Sequence, residues 1–394
     1  MNRQLIWKVV GVIVLVCGLQ LYGQQTASGA QGRITIIDDP AAGTGPYQGT
    51  FPTAINSAGA ITGYYLDNNN VNHGFLRTSP HGDEPVRITG AKLPAGAPIT
   101  NFDAPGAGTV PNSYPLQGTF PTGINPTGAI AGYYVDAYGV NHGFLRAPNG
   151  KFANPNIDPP GSTSTTATGI NPAGAITGYY SDTNYTPHGF VRAPRGTFVY
   201  IDPPSAPGSN GIQALAINPA GKVTGWYDGG FGDIHGFVWD PHGSANGTFT
   251  PFDGSPGAQY TVPNSINGAG VITGYYFQQL DGYHPPLGFL RKSNGAFIPF
   301  DPKCVLGCSF PTASVDPSGI NDAGTITGTY YLNGQYHGFV RAPNGKFPFT
   351  PFDPPGSTGA FNPPYAINSA GAITGYYVDA NSVNHGFLWT PPEE

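Results

Sequence analysis

The sequence has 394 residues, of which 59 are glycine and 42 are proline, while only 10% are charged. A formal net charge of −6, with no basic cluster, argues against nucleic-acid binding. So much glycine and proline would indicate disorder if it were aperiodic, but here both residues recur at fixed positions between aromatic and β-branched runs. The composition and its periodicity therefore predict an ordered all-β protein.

Residues 1–30 have the pattern of an export signal peptide. Arg3 and Lys8 supply positive charge, the segment from Val9 to Leu21 is apolar, and small residues follow it. We expect cleavage between about Gly23 and Ala30 and a secreted, periplasmic or cell-surface location. The apolar run is short for a membrane span, so we expect no stable span after cleavage; an uncleaved anchor is the alternative.

The remaining chain, residues 33–391, consists of a unit that is repeated seven times. Its clearest copy runs from Gly169 to Tyr180 as Gly-Ile-Asn-Pro-Ala-Gly-Ala-Ile-Thr-Gly-Tyr-Tyr and continues from His188 as His-Gly-Phe-Val-Arg. The Asn-Pro-Ala-Gly segment predicts a tight turn between two strands, capped by Asn and with Gly in the left-handed conformation. A repeat of roughly 45 to 50 residues is typical of propellers and solenoids. Units 1 to 7 are marked by Asn56, Asn125, Asn171, Asn218, Asn267, Asn321 and Asn368.

Each unit also has a phenylalanine-rich strand that ends in Asp, which gives four strands: Ile-Asn, Tyr-Tyr, His-Gly-Phe and Phe-rich. The first Phe-rich strand, Ile34 to Asp38, precedes unit 1, whereas unit 7 stops after the strand from His385 to Trp389. The spare strand at one end thus matches the missing strand at the other. We therefore predict a single seven-bladed β-propeller of four-stranded antiparallel blades, with the N-terminal strand closing the last blade.

The order of strands within a blade is inferred from small residues. The residue before each Ile-Asn pair is small, as is expected of an innermost strand at a crowded axis. A blade with the Phe-rich strand innermost, and a linear β-solenoid, remain the alternatives. The small residues are Ala54, Gly123, Gly169, Ala216, Ser265, Gly319 and Ala366.

The pattern Ile-Asn-x-x-Gly-x-Ile/Val-x-Gly followed by His-Gly-Phe-Leu-Trp/Arg resembles the HAF-repeat family of extracellular bacterial repeat proteins. The sequence departs from that family at Gly143 and Gly189, which replace the Ala of the His-Ala-Phe triplet, and at Leu287, which replaces the His. Most units have Arg where the family has Trp, although Trp239 and Trp389 keep it. The resemblance implies an exported propeller-like protein and brings no established activity with it.

Of the three cysteines, Cys17 would leave with the signal peptide. A lipoprotein linked through Cys17 is disfavoured because Val16 stands where a small residue is needed. Cys304 and Cys308 are separated by three residues and are expected to form a disulfide in an oxidising compartment. We expect no metal at these cysteines, because further ligands are missing nearby, and no cofactor.

Six histidines occupy the same position in their units, and four of them follow an Asp by six residues: Asp67, Asp136, Asp182 and Asp379. A ring of His-Asp dyads could serve acid-base or metal chemistry. Because catalysis needs one asymmetric constellation, we favour a structural pair that locks each hairpin. These histidines are His73, His142, His188, His235, His337 and His385.

An Asp also ends every Phe-rich strand. A ring of Ca²⁺ ligands is one interpretation, and a turn cap that accepts bonds from nearby backbone N–H groups is the one we favour. These residues are Asp38, Asp103, Asp158, Asp202, Asp253, Asp301 and Asp353.

The long connections between strands should share one face of the ring, and binding residues concentrate on such loops. We predict a non-catalytic binding or surface-interaction module, monomeric, for an extracellular glycan or protein. The alternative is a polysaccharide hydrolase or lyase with its site on the same face, favoured if irregular loops bring unpaired carboxylates or histidines together over the axis. The candidate binding residues at the loop tips are Asp136, Tyr138, Asp182, Tyr185, Asp281 and Tyr283.

Overall fold

A computed structural model describes residues 32–78, 98–153, 156–203, 211–230, 232–242, 244, 246–278, 285–300, 314–343, 349–359 and 364–392. Within these ranges the regular secondary structure is β-strand, as the composition predicts, and there is no α-helix. No helix in the described part of the chain is long and apolar enough to cross a membrane.

The strands follow the repeat in chain order. They are β1 (Arg33–Ile37), β2 (Gly49–Ile55), β3 (Ile61–Leu66), β4 (Asn72–Arg77), β5 (Ile99–Phe102), β6 (Gly118–Ile124), β7 (Ile130–Val135), β8 (Asn141–Arg146), β9 (Ser164–Ile170), β10 (Ile176–Ser181), β11 (Pro187–Arg192), β12 (Phe198–Ile201), β13 (Ile212–Ile217), β14 (Val223–Asp228), β15 (Ile234–Asp240), β16 (Thr248–Phe252), β17 (Tyr260–Ile266), β18 (Ile272–Phe277), β19 (Leu287–Arg291), β20 (Phe297–Phe300), β21 (Ser314–Ile320), β22 (Ile326–Leu332), β23 (Gln335–Arg341), β24 (Phe349–Phe352), β25 (Pro364–Ile367), β26 (Ile373–Val378) and β27 (Asn384–Thr390).

The pairing within a unit is an antiparallel meander. In unit 3, β9 pairs with β10, β10 with β11 and β11 with β12. The same order recurs in the other units, except that unit 2 has an isolated bridge between Arg146 and Phe152 in place of a fourth strand. The Ile-Asn, Tyr-Tyr, His-Gly-Phe and Phe-rich segments are therefore neighbours in the order predicted from the sequence.

The N-terminal strand pairs with the last strand of the chain. β1 and β27 are antiparallel, with partners from Arg33 and Thr390 at one end to Ile37 and Gly386 at the other. Ile37 is buried against Ile61 and Leu388, in a core that joins units 7 and 1. The predicted pairing of the spare N-terminal strand with the His-Gly-Phe strand of unit 7 is confirmed.

The Ile-Asn strands contact one another in a closed circuit: β2, β6, β9, β13, β17, β21, β25 and again β2. The Phe-rich strands lie at the opposite side of each meander, so the Ile-Asn strand is innermost and the alternative phase is wrong. Most hydrophobic clusters lie between successive units rather than inside one. Burial of apolar surface therefore holds each unit to its neighbours.

A β-bulge interrupts every Ile-Asn strand three residues before the landmark asparagine. In unit 1 the register shifts between Pro52 and Ala54, so Thr53 is the extra residue. The bulge brings the Phe51 carbonyl oxygen so close to Gly63 that a Cβ atom there would lie 2.2 Å from it. This close approach explains why the Tyr-Tyr strand needs a glycine before its tyrosines.

The landmark asparagines join successive units near the axis. In unit 4, the side-chain oxygen of Asn218 accepts a hydrogen bond from the Lys222 N–H (2.9 Å), while its Nδ2 donates to the Asn267 carbonyl of unit 5 (3.0 Å). The first bond closes the predicted turn, in which Gly221 has φ of 82°. The same inter-unit bond links unit 1 to 2, 3 to 4, 5 to 6, 6 to 7 and 7 to 1. We call this set the asparagine ring.

The residue that ends the His-Gly-Phe strand covers a phenylalanine of the preceding unit. The Arg146 guanidinium lies 4.7 Å from the Phe102 ring centroid, and in unit 7 the Trp389 ring stacks on Phe352 at 5.6 Å. A guanidinium plane and an indole are both flat groups that pack on an aromatic face. This shared role explains how Arg and Trp can occupy the same position in different units.

Candidate binding surfaces

The repeated histidines are hydrogen-bonded to the aspartates that end the Phe-rich strands. In each pair the histidine Nδ1 lies 2.7–3.0 Å from the nearer carboxylate oxygen. The pairs are His73–Asp103, His142–Asp158, His188–Asp202, His235–Asp253, His337–Asp353 and His385–Asp38. In these six units the carboxylates fix the histidine of the neighbouring strand, and Asp158 also accepts the Gly143 N–H (2.9 Å), while the predicted capping of the turn stays a prediction.

The histidine ring also makes a second, longer contact with the carboxylate of the aspartate six residues before it. In unit 3 the His188 Nε2 lies 3.6 Å from Asp182, and the ring stacks on Tyr180 with centroids 5.2 Å apart. The predicted Asp-His pair across the hairpin is thus present, but as the weaker of two carboxylate contacts. In unit 1, the hydrogen bond to Asp103 raises the pKa of His73.

Both carboxylate oxygens of this second aspartate already contact groups of the protein. Asp182 Oδ1 accepts the N–H groups of Asn184 (2.8 Å) and Thr186 (2.9 Å), while Oδ2 faces His188. The backbone N–H bond from Thr186 is the main cause that lowers the pKa of Asp182. Because imidazole and carboxylates are engaged with one another in unit after unit, the arrangement supports a structural role that locks hairpin to outer strand. Within the described ranges no group of three His, Cys, Asp or Glu is arranged to hold a metal ion.

Among the predicted binding residues, the tyrosines are accessible and the aspartates are not free. Tyr138 is 92% exposed and Tyr185 is 81% exposed. Asp136 accepts the N–H groups of Tyr138 (2.8 Å) and Val140 (2.9 Å), so it holds the turn that presents the ring. Asp281, Tyr283, Cys304 and Cys308, like residues 1–31, lie outside the described residues.

Two further tyrosines on the same face were missed by the sequence analysis. Tyr47 is 76% exposed and Tyr114 is fully exposed, and both lie on loops that lead into an Ile-Asn strand. The Tyr47 N–H donates to the carbonyl oxygen of Ser382 in the hairpin loop of unit 7 (2.6 Å). Such long loops were expected to carry binding residues, but the sequence does not distinguish their exposed rings from buried ones.

Tyr114 belongs to a loop packed between the hairpin loops of units 1 and 2. The Asn112 N–H donates to the Asn69 carbonyl in unit 1 (3.0 Å), and a Cβ atom at Gly139 in unit 2 would lie 3.2 Å from Pro115. These contacts place Tyr114 beside the tip that carries Tyr138. We call Tyr47, Tyr114, Tyr138 and Tyr185 the tyrosine face.

A second, asymmetric group lies on the inner strands of units 5 to 7 and on the Tyr-Tyr strands beside them in units 5 and 7. Asp316 Oδ1 accepts a hydrogen bond from the Asn264 side chain (3.0 Å), and its strand β21 contacts β18 and β25, which carry Tyr275 and Tyr365. The Tyr365 ring packs against Tyr376 with centroids 5.8 Å apart. We call these five residues the axial cluster. The sequence analysis named none of them as a binding residue, although Asp316 interrupts a position that is uncharged in the other described units.

The carboxylate of Asp316 is exposed on the inner strand β21. Its surface is accessible to solvent, yet protein atoms surround it on most sides, and this burial raises its pKa to about 6 in spite of the hydrogen bond from Asn264. Burial likewise raises the pKa values of Tyr275, Tyr365 and Tyr376. The phenols are therefore neutral hydrogen-bond donors at neutral pH, next to a carboxylate that is ionised above about pH 6.

Asp316→Asn is expected to stabilise the protein at pH 7.5 and to have little effect at pH 3.5. A folded-state pKa of about 6 lies above the unfolded value, so the penalty for the charged form grows as the pH rises and is complete above about pH 6. The measurement is the free energy of urea unfolding of both proteins at the two pH values. Destabilisation by the substitution at pH 7.5 would contradict this account of the carboxylate.

No family model matches the chain, and no curated protein matches it. Solved structures do match. A prolyl endopeptidase is 11% identical with a TM-score of 0.53, and the match covers 88% of this chain and 51% of that chain. The acylaminoacyl peptidase of Pyrococcus horikoshii is 9% identical with a TM-score of 0.53, covering 86% and 51%. The chain thus spans about half the length of these peptidase chains, and the likeness shows a shared fold alone.

A lectin from Aleuria aurantia, described as a six-bladed β-propeller, is 16% identical with a TM-score of 0.38, and the match covers 84% of this chain and 98% of the lectin.

Proposed function

We propose that the chain is an exported seven-bladed β-propeller and a non-catalytic module that binds extracellular carbohydrate through the tyrosine face. The circuit of seven Ile-Asn strands and the pairing of β1 with β27 support the blade number and the closure. The N-terminal sequence and the resemblance to the HAF-repeat family support export.

One observation carries the binding proposal. The four most exposed large hydrophobic side chains of the described residues are all tyrosines, and all four lie on the loops of one face. An exposed ring on a flexible loop would lose entropy on binding, but Asp136 and Asp182 fix the turns that present Tyr138 and Tyr185. A flat ring with a hydroxyl at its edge suits the apolar face and the hydroxyl groups of a sugar.

The charge near the tyrosine face restricts the class of glycan that can bind there. Each histidine that lines this face contacts carboxylates, and the chain carries a net charge of −6. An acidic surface repels polyanions, so a neutral or cationic glycan is the expected class. Tyrosines on several successive units would let weak contacts add up along one glycan chain.

We expect the protein to bind neutral glycans on a glycan array and the variant with alanine at all four positions of the tyrosine face to bind at least about tenfold more weakly. Tyr200→Ala is the matched control, because Tyr200 lies on the outer strand β12 and is 42% exposed. Retention of full binding by the fourfold variant, or binding to anionic glycans only, would refute the proposal. If the protein binds no glycan, carbohydrate binding is refuted, and a protein surface is the remaining class of ligand.

A further inference from the structure

Asp316 is the only Asp, Glu, Lys, Arg or His on the seven innermost strands. It stands five residues before the landmark asparagine of unit 6. The residues at the same position in units 1 to 5 are Phe51, Phe120, Thr166, Gln213 and Val262. Because the other units have an uncharged residue here, the repeat does not need a charge at this position. The carboxylate of Asp316 is therefore specific to unit 6.

The carboxylate is held in place but has no positive partner among the described residues. The Asn264 amide of unit 5 donates to Asp316 Oδ1 (3.0 Å) and to the Pro317 carbonyl (2.8 Å), which anchors the strand and one oxygen. None of the Lys, Arg or His side chains in the described ranges forms an ion pair with Asp316. Protein atoms crowd this carboxylate while its surface stays accessible to solvent, and no described basic side chain neutralises it, so a cation from solution can reach it.

The groups that face Asp316 come from both neighbouring units. Unit 5 contributes Asn264 and, on the contacting strand β18, Tyr275, while unit 7 contributes Tyr365 on the contacting strand β25, and its ring packs against Tyr376. All of these side chains are neutral at neutral pH, and the tyrosine rings offer negative π-faces as well as hydroxyl oxygens. Carboxylate, phenol oxygen and aromatic face are together the partners that an ammonium group prefers.

We propose that the axial cluster is a binding site for a small organic cation that carries a primary ammonium group. The ammonium group would donate to Asp316 Oδ2 and to a tyrosine oxygen, while the body of the ligand would lie against the rings of Tyr365 and Tyr376. A single carboxylate is matched by a single positive charge, whereas Ca²⁺ takes six to eight oxygen ligands. This site is independent of carbohydrate binding by the tyrosine face.

The affinity should depend on pH with a defined sign. A proton and the ammonium group compete for the same carboxylate, whose pKa burial raises to about 6. Binding is therefore expected to be strong at pH 7.5 and about tenfold weaker at pH 5, and saturation with the cation should lower the pKa of Asp316.

The test uses two ligand pairs in which only the charged group changes: benzylammonium with benzyl alcohol, and n-butylammonium with 1-butanol. Isothermal titration of the full-length protein should detect the ammonium member of at least one pair, and Asp316→Asn should weaken its binding by about 10- to 100-fold. Asp322→Asn is the control, since it removes the same charge from unit 6 at the turn where Asp322 accepts the Gly268 N–H.

Three results would overturn the proposal. They are no binding of either cation, binding of an alcohol as tight as that of its ammonium partner, and unchanged cation binding by Asp316→Asn. Misfolding of that variant is excluded separately by its unfolding curve, which is expected to show higher stability at pH 7.5. The carboxyl ¹³C chemical shift of Asp316, followed from pH 4 to 8 with and without the cation, tests the competition directly.

Discussion

Deletion of residues 1–40 is expected to lower the free energy of unfolding by about 4 kcal/mol or more, relative to a chain that begins at Gly32. The deletion removes every β1–β27 hydrogen bond and the buried side chain of Ile37, whose loss alone is comparable to a large-to-small core substitution of about 2–5 kcal/mol. It also removes Asp38, the partner of His385 at 2.9 Å. Chemical denaturation followed by tyrosine and tryptophan fluorescence measures the difference.

The chain that begins at Gly32 is the matched control, because it keeps β1 and lacks the predicted signal peptide. A longer deletion that unfolds at the same denaturant concentration as this control would show that β1 does not hold the ring closed. The truncated protein is also expected to associate, since β27 would present an unpaired edge.

Asn218→Ala is expected to destabilise the protein by about 2–4 kcal/mol. The side chain is 1% exposed and makes two bonds, one from the Lys222 N–H and one to the Asn267 carbonyl oxygen. Alanine would leave both groups unsatisfied in the interior, and each orphaned group costs about 1–3 kcal/mol. The midpoint and slope of urea unfolding measure the effect.

Asn149→Ala is the control for the asparagine ring. Asn149 also lies in a turn, but its side chain is exposed and accepts only the Lys151 N–H (3.1 Å), within its own hairpin. Its substitution is expected to cost about 0.5 kcal/mol. Equal losses for the two variants would mean that the turn bond alone matters and that the inter-unit bond contributes nothing.

The local structure could be predicted because single residues determine it. The Asn-x-x-Gly segments require a turn, and Gly174 has the expected positive φ of 84°. The closing strand could be predicted by comparing the units. A Phe-rich strand, Ile34 to Asp38, precedes unit 1, and unit 7 lacks one after β27. Antiparallel order follows once the turns are fixed, since short connections force neighbouring strands to pair.

The partners of the histidines were predicted only in part. Asp182 was found because it lies in the same hairpin as His188, but the closer partner, Asp202, lies 14 residues further along the chain. In a repeat where both residue types recur in every unit, spacing alone does not decide which Asp meets which His. The register between the third and fourth strands decides it, and this follows from packing.

The asparagine ring and the axial cluster were not predicted because of the β-bulge. Alternation along a strand assigns side chains to two faces, but the extra residue in each Ile-Asn strand, such as Ser318 in unit 6, resets that alternation. The sequence signal for the bulge is indirect, namely the glycine that faces it. If the bulge is not known, the face of the strand on which Asp316 lies cannot be deduced from its position before the landmark asparagine.

The most direct test of the whole account is a crystal structure of residues 32–394 grown with a neutral glycan selected from the array. We predict a ring of seven antiparallel sheets, with four strands in every unit except unit 2 and with β1 completing the last, and sugar rings stacked on tyrosines of the tyrosine face. A ring of six or eight sheets, an unpaired β1, or a glycan bound away from Tyr47, Tyr114, Tyr138 and Tyr185 would contradict it.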